Sequence, residues 1–348
     1  MRIFKGVGLL VLLMIAIAFP LLFPNPTVTT IAIFTLIFAA AATGWNIFSG
    51  YTGYISLGHA AYFGIGGYAL TIMCQDWKIP AGYTPFFLVP VAGLVAAIFA
   101  IPLGWVALRV RRHTFVVITI AIFFIMQLLA YNLRSLTNGS TGLGLPIPLT
   151  WSGDFFNLPF YYVGLALLVV AIAISWWVRN SKYGLGLLAV RDDEDRALGL
   201  GVRTGSSKLV AFIISAFIVG MVGAIWAYYI EAIYPPSGFD ANFDVALVLM
   251  AYLGGLGTIS GPILGALILE PAQQYFTLQY GENGYYLVIY GALFLVIMLL
   301  LPRGIIPTLN ERWIKYQHTR RIQRSQSDVP IAALSTEDRP PVITEKKA

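Results

Sequence analysis

The chain has 348 residues, of which 58% are hydrophobic and only 11% charged, with a formal net charge of +6. A soluble domain carries roughly 25% charged residues, so a water-soluble globular protein is excluded and an all-α polytopic membrane protein is expected. The single cysteine, Cys74, excludes a disulfide framework and a thiolate metal site.

A hydrocarbon core about 30 Å thick takes about 20 apolar residues per helical crossing. Ten runs are expected to cross: 7–23, 29–48, 55–74, 84–108, 114–132, 160–178, 208–230, 244–257, 262–280 and 285–301. Barrel strands would be near ten residues long and alternate in polarity, which these runs do not. The start, Arg2-Ile3-Phe4-Lys5 and an apolar stretch to Phe19, has the form of a secretory signal, with Ala16-Ile17-Ala18 as a cleavage-like site. In a chain of many spans it is read as an uncleaved first helix.

The second run closes in Gly44-Trp45-Asn46-Ile47-Phe48-Ser49-Gly50, and the third opens through Gly53, Ser56, Gly58, His59 and Gly64. Seven glycines between 44 and 67, alternating with Ser, Thr, His and aromatic residues, are too polar for a lipid-facing helix. Such residues are buried in protein or line an aqueous cavity. Two readings stand side by side: a tightly packed helix crossing, or a broken helix lining a substrate route. His59 alone reads more simply as a satisfied buried imidazole than as a ligand, and no metal site is proposed.

Charge sets the orientation. With the N-terminus inside, the internal segments hold 20 of the 22 Lys and Arg residues, and only Lys78 and Arg134 fall outside. Both termini are therefore expected in the cytoplasm. The external segment 133–159, with Trp151, Asp154 and Phe155, is a candidate landing surface for an external partner, or a floppy connecting loop.

The longest internal loop, about 179–208, carries Arg191-Asp192-Asp193-Glu194-Asp195-Arg196-Ala197-Leu198-Gly199-Leu200-Gly201. The four acids are expected in the first turn of a short helix, where the dipole favours negative charge, with Gly199 and Gly201 ending it after about two turns. A chain with so little outside the membrane has reason to keep a charged helix there if something docks on it.

Farther on, the apolar stretch 244–280 is broken by Gly254-Gly255-Leu256-Gly257-Thr258-Ile259-Ser260-Gly261-Pro262. Taken as one span it would put the arginine-rich tail outside, so two spans with a tight inside turn are expected. Glu270 is the one acid read as lying well inside a span, which makes it a functional candidate, although Gln273 and Gln274 equally suggest a polar face turned into the bundle. Broken glycine segments in opposite halves suggest an inverted repeat around a central route. Residues 1–308 are thus one transmembrane domain, and 309–348 a disordered cytoplasmic tail.

No Gly-x-x-x-x-Gly-Lys-Ser/Thr loop is present, so ATP hydrolysis by this chain is not expected. No nucleophile–base set points to an enzyme, no arginine-rich span to a voltage sensor, and nothing to nucleic acid.

The segment from Gly44 to Tyr68, with Asn46, Gly53, Ser56, Leu57, Gly58, His59 and Gly64, resembles the permeases of branched-chain amino-acid ABC importers. So do the charged loop with Lys208-Leu209-Val210-Ala211-Phe212 after it, and the run from Gly254 to Ala266. The Arg191-Asp-Asp-Glu start of the loop is most similar to the LivM-type member of the permease pair. The resemblance covers about 30–305. It implies a bacterial cytoplasmic-membrane complex with a second permease of LivH type, two phosphate-loop ATPase subunits that carry the ATP and Mg, and an extracytoplasmic substrate-binding protein. It also implies that Arg191, Asp192, Asp193, Glu194, Asp195, Arg196, Leu198 and Gly199 belong to the ATPase-coupling loop. Asn46, Ser56, His59 and Glu270 are expected on the translocation path, with Gly53, Gly58, Gly64, Gly254, Gly255, Gly257 and Gly261 as broken-helix glycines. The alternatives are a urea or short-chain amide importer permease, an ion-coupled secondary transporter using Glu270 or His59, and a channel.

Overall fold

The computed structural model describes residues 2–146, 151, 154–280, 291, 292, 295, 296, 299 and 304–311, and these are almost wholly helical. In chain order come α1 (Arg2–Leu22), α2 (Pro26–Trp45), a π-helical turn (Asn46–Gly50), α3 (His59–Asp76), α4 (Thr84–Ala107) and α5 (Arg112–Asn132). A short α6 (Arg134–Thr137) and strand β1 (Leu143–Gly144) precede α7 (Asp154–Asn180), α8 (Lys182–Asp192), α9 (Glu194–Gly199) and α10 (Thr204–Ile230). Strand β2 (Ala232–Ile233), α11 (Pro235–Gly238), α12 (Ala241–Gly254) and α13 (Gly261–Tyr280) follow.

Among the described residues five helices are long and apolar enough to cross a membrane: 26–50, 84–107, 112–132, 156–180 and 204–230. The runs expected at 7–23, 55–74, 244–257 and 262–280 fall in α1, α3, α12 and α13, which are not among them. The glycines and polar residues of α3 lower its hydropathy. The 14 residues of α12 cover about 21 Å at 1.5 Å per residue, short of a full hydrocarbon core. Of the tenth run, 285–301, only 291, 292, 295, 296 and 299 are described, and these are helical. The chain divides into a unit of residues 1–306 and a second of 307–348, of which 307–311 are described and helical. The rest of the expected tail lies outside the described residues.

Helix α10 is the centre of the bundle and packs against α3, α4, α2 and α7. In its most apolar window 67% of residues are buried, against 33% for α4 and 28% for α5, so α4 and α5 keep wide faces for lipid or a partner. The crossing of α3 with α10 is made by glycine. A Cβ on Gly66 would strike the Gly220 carbonyl, one on Gly223 the Phe63 carbonyl, and one on Gly67 the Ile233 side chain. Bare backbones let the helices approach closely enough for dispersion to hold them where no hydrophobic drive exists between helices in lipid. Gly64 thus lies inside α3 against the Phe239 ring and not at a break, which corrects its expected role.

Because α7 begins at Asp154 and includes Pro159, the segment expected at 133–159 is shorter, and its residues 133–146 are held against the bundle. Its β1 pairs antiparallel with β2, Leu143 opposite Ile233, and Gln75 Nε2 donates to Gly144 O at 2.8 Å. At the other end of the bundle lie the α4–α5 turn, α8, α9 and the 255–260 turn, called here the basic end.

Candidate functional site

The two glycine-broken segments, more than 200 residues apart in sequence, meet at Asn46. Its Nδ2 donates to Thr258 O at 2.9 Å and its Oδ1 accepts from Gly257 N at 2.8 Å. One fully buried amide thus satisfies a donor and an acceptor that the turn cannot pair for itself. Within that turn Thr258 Oγ1 donates to Gly255 O at 2.7 Å and accepts from Gly261 N at 3.0 Å, closing α12 and opening α13. On the other side, α2 runs into the π turn and the chain continues without regular structure from Gly53 to Gly58, the helix of the third run starting only at His59. Leu57 N donates to Thr119 Oγ1 of α5 at 3.1 Å, and Trp45 Nε1 to Ser56 O at 2.8 Å, so the break is pinned by its neighbours.

Arg191, near the end of α8, reaches into this junction. Its Nη1 donates to Gly50 O at 2.9 Å, and its stem lies 3.1 Å from where a Cβ on Gly53 would sit. Gly257, at φ +78°, faces the guanidinium, and any side chain there would collide with it. The last carbonyls of α8, Val190 O and Arg191 O, accept from Arg112 Nη2 at 3.0 and 2.8 Å. Arg112 therefore supplies partners that a helix C-terminus lacks and opposes its negative dipole end.

The four acids do not share one helical turn. Asp192 ends α8, and Asp193 is the extended N-cap of α9, accepting from Arg196 N at 3.0 Å. Glu194 and Asp195 make up the first turn, and the helix stops after six residues beside Gly201 at φ +85°. An Asx cap interrupts the helix because its side-chain acceptor competes with the backbone ladder.

Glu194 turns inward. It accepts from Lys208 Nζ at 2.5 Å and from the Tyr54 hydroxyl, and Lys208 also donates to Tyr54 Oη at 3.2 Å. Burial raises the Glu194 carboxyl, but the hydrogen bonds from Lys208 and Tyr54 and the lysine charge outweigh it and hold the pKa below the usual carboxylate value. The remaining acids face outward: Asp195 pairs with Arg111 at 3.2 Å and Asp193 with Arg196 at 3.0 Å. They border an open cleft of about 310 Å³ lined also by Tyr54, Arg112 and His113. Beside it Leu198 and Leu200 stand 60% and 83% exposed.

His59 and Ser56 lie deeper. The imidazole Nδ1 is 3.0 Å from Ser56 Oγ and Nε2 2.7 Å from Ser215 Oγ, so two hydroxyls match the donor and the acceptor of a neutral ring. Phe48, Tyr62 and Phe212 enclose it. Gly58 offers no side chain to cap α3, and Asp244 of α12 does so instead, accepting from Ala60 N at 3.1 Å. Asp244 is thus a second buried acid, against the expectation that Glu270 stood alone. Glu270, also buried, accepts from Gln274 Nε2 at 3.0 Å. Among the described residues nothing joins it by a hydrogen bond to Asn46, Ser56 or His59.

Tyr54, Arg112, Lys208 and Asp244 went unread as partners in the sequence. Lys208 and Asp244 did carry a signal, each being a charge at the edge of an apolar run.

Residues 27–298 match the family described as branched-chain amino acid transport system / permease component. The chain belongs to that family. It is 26% identical over 324 residues to the high-affinity branched-chain amino acid transport system permease protein LivM of Escherichia coli (strain K12), covering 86% of this chain and 74% of the relative. It is 28% identical over 283 residues to LivH of the same strain, covering 77% and 91%. A shorter match, 32% over 138 residues and 38% of this chain, is to the autoinducer 2 import system permease protein LsrC of Photorhabdus laumondii, covering 41% of that relative. No solved structure matches. The permease is therefore a multi-pass membrane transport protein of the LivM/LivH type.

Proposed function

We propose that this permease forms half of the translocation path of an ATP-driven importer for branched-chain or related hydrophobic amino acids, beside a second, LivH-type permease. Its basic end faces the cytoplasm, where the loop 191–201 docks on a separate phosphate-loop ATPase, and the opposite end receives substrate from a soluble binding protein. The relatives, named as permeases of high-affinity branched-chain amino acid transport, support the substrate class. Twenty basic residues assigned to one side support the orientation.

The observation that carries the coupling role is the two-sidedness of one short loop. Leu198 and Leu200 of its outer face are bare apolar side chains among charges, while Arg191 and Glu194 of its inner face are bonded to the first broken segment. Exposed leucines in such a place gain by burial in a partner groove, about 2 kcal/mol each, and the inner bonds carry displacement of the loop to the path.

The test is a Leu198→Asp/Leu200→Asp variant. It should insert normally, lose the ATPase subunit on affinity purification, and lose uptake of leucine, isoleucine and valine in proteoliposomes. Unchanged uptake in that variant would overturn the coupling-loop assignment.

A further inference from the structure

Arg191 precedes four consecutive acids, yet among the described residues none of their carboxylates pairs with it. Its guanidinium leaves the charged surface and donates to a main-chain carbonyl, Gly50 O, at the end of the π turn. The seat is made for it. Gly53 at φ +73° lacks the Cβ that would press on the arginine stem, and Gly257 at φ +78° lacks the one that would occupy the Nη1 position. These glycines come from both broken segments, so one side chain spans the seam where they meet.

Residues 46–52 around this seam are fully buried, and Asn46 is the other tie across it. The two ties differ in what they are attached to. Asn46 belongs to the broken segment proposed to line the path, whereas Arg191 stands at the end of α8, in the loop proposed to follow the ATPase. A second link sets the geometry of motion: Glu194 is held by Lys208 of the central helix α10 and by Tyr54, with the extended residue Asp193 between it and α8. A pull on α8 can therefore draw Arg191 from its seat while Glu194 stays anchored.

We propose that Arg191 is a positioning residue that latches the two glycine-broken segments together at the basic end of the path, and that its withdrawal with α8 lets that end open. The latch rests on the transport reading of these segments, and its drive by ATP rests on the coupling-loop reading.

The experiment uses the reconstituted complex with Cys74→Ser and a Thr52→Cys reporter. Thr52 is fully buried beside the seam, and its hydroxyl donates to Phe48 O, not to Arg191. The probe is a membrane-impermeant maleimide applied to the basic end without nucleotide. Arg191→Met keeps the stem against Gly53 and removes the donors; losing one charge-assisted hydrogen bond should speed labelling about tenfold. Arg191→Lys, which restores a cation able to reach Gly50 O, should return the rate toward the parent. In the Met variant ATP hydrolysis should continue while amino acid taken up per ATP falls. Equal labelling in the parent and Arg191→Met would overturn the latch. Should Arg191→Met fail to insert, Arg191→Gln, whose amide falls short of Gly50, is read the same way. If the importer reading fails instead, uptake loses its ATP dependence while the labelling difference between parent and Met variant remains.

Discussion

Two neighbouring glycine clusters do opposite work in this permease. Gly50, Gly53 and Gly58 lie in a π turn and an irregular segment, while Gly64, Gly66 and Gly67 lie in the unbroken helix α3. In the first cluster glycine supplies backbone freedom and room for inserted groups: Gly53 has φ +73°, and a Cβ on Gly50 would strike the Asn46 amide. In the second, glycine supplies only the absence of a side chain: Gly66 and Gly67 let α3 lie against α10 and β2, and Gly64 leaves room for the Phe239 ring. The same residue type at similar density therefore marks a junction held by hydrogen bonds and a crossing held by dispersion. The two should fail in different ways.

The largest effect is expected at the crossing. Gly66→Val forces a branched side chain into the Gly220 backbone, and with no soft neighbour to yield it should cost about 3 kcal/mol or more. A thermal melt of the purified protein in detergent should show it as a large drop or as failure to accumulate. A wild-type melt would mean that α3 and α10 are not in backbone contact there.

At the junction Asn46→Ala removes one buried and one partly buried hydrogen bond and strands Gly257 N–H and Thr258 C=O. A cost of about 2 kcal/mol is expected, again from the melt, together with faster labelling of the Thr52→Cys reporter. Gly66→Ala, which strikes the crossing alone, should lower the melt without that labelling change. Faster labelling in both variants would erase the distinction between the two clusters.

The smallest effect is expected at the edge of the junction, where Glu194 meets Lys208 and Tyr54. Glu194→Gln should cost about 1 kcal/mol, since the pair is partly solvated, and the sign of its pH dependence follows from the lowered Glu194 pKa. A carboxyl whose folded pKa lies below its unfolded one adds stability that is present above the unfolded value and lost as pH falls through the folded one. The stability difference between parent and Glu194→Gln should thus be flat from about pH 6 to 8 and close only below about pH 4. Closure between pH 6 and 8 would mean that the carboxyl is not held ionised by Lys208.

Several features were legible along the chain because they are one-dimensional. Apolar run length located the helices, and the two turn-like glycine stretches were each marked by composition. The Arg191–Gly201 stretch was visible as charge in a chain nearly free of it. Local competition was harder to read. Asp193 caps a new helix and so divides the acids between α8 and α9, because a side-chain acceptor two or three residues ahead of a free N–H outbids the ladder. Lys208 and Asp244 stand at the edges of apolar runs, yet each is bonded to a distant partner: Glu194 with Tyr54 in one case, the bare N-terminus of α3 in the other.

By itself the sequence determined the class of molecule, the approximate helices, the two breaks and the family, since these follow from hydropathy, glycine content and motif order. Only the tertiary structure decided that the two breaks meet at Asn46, that Arg191 turns from its neighbouring acids to Gly50, and which glycines are hinges and which are contact points. The reason is physical: a buried amide or guanidinium must find its partners wherever the fold brings unpaired backbone groups. Those partners are set by packing across the bundle, not by distance along the chain.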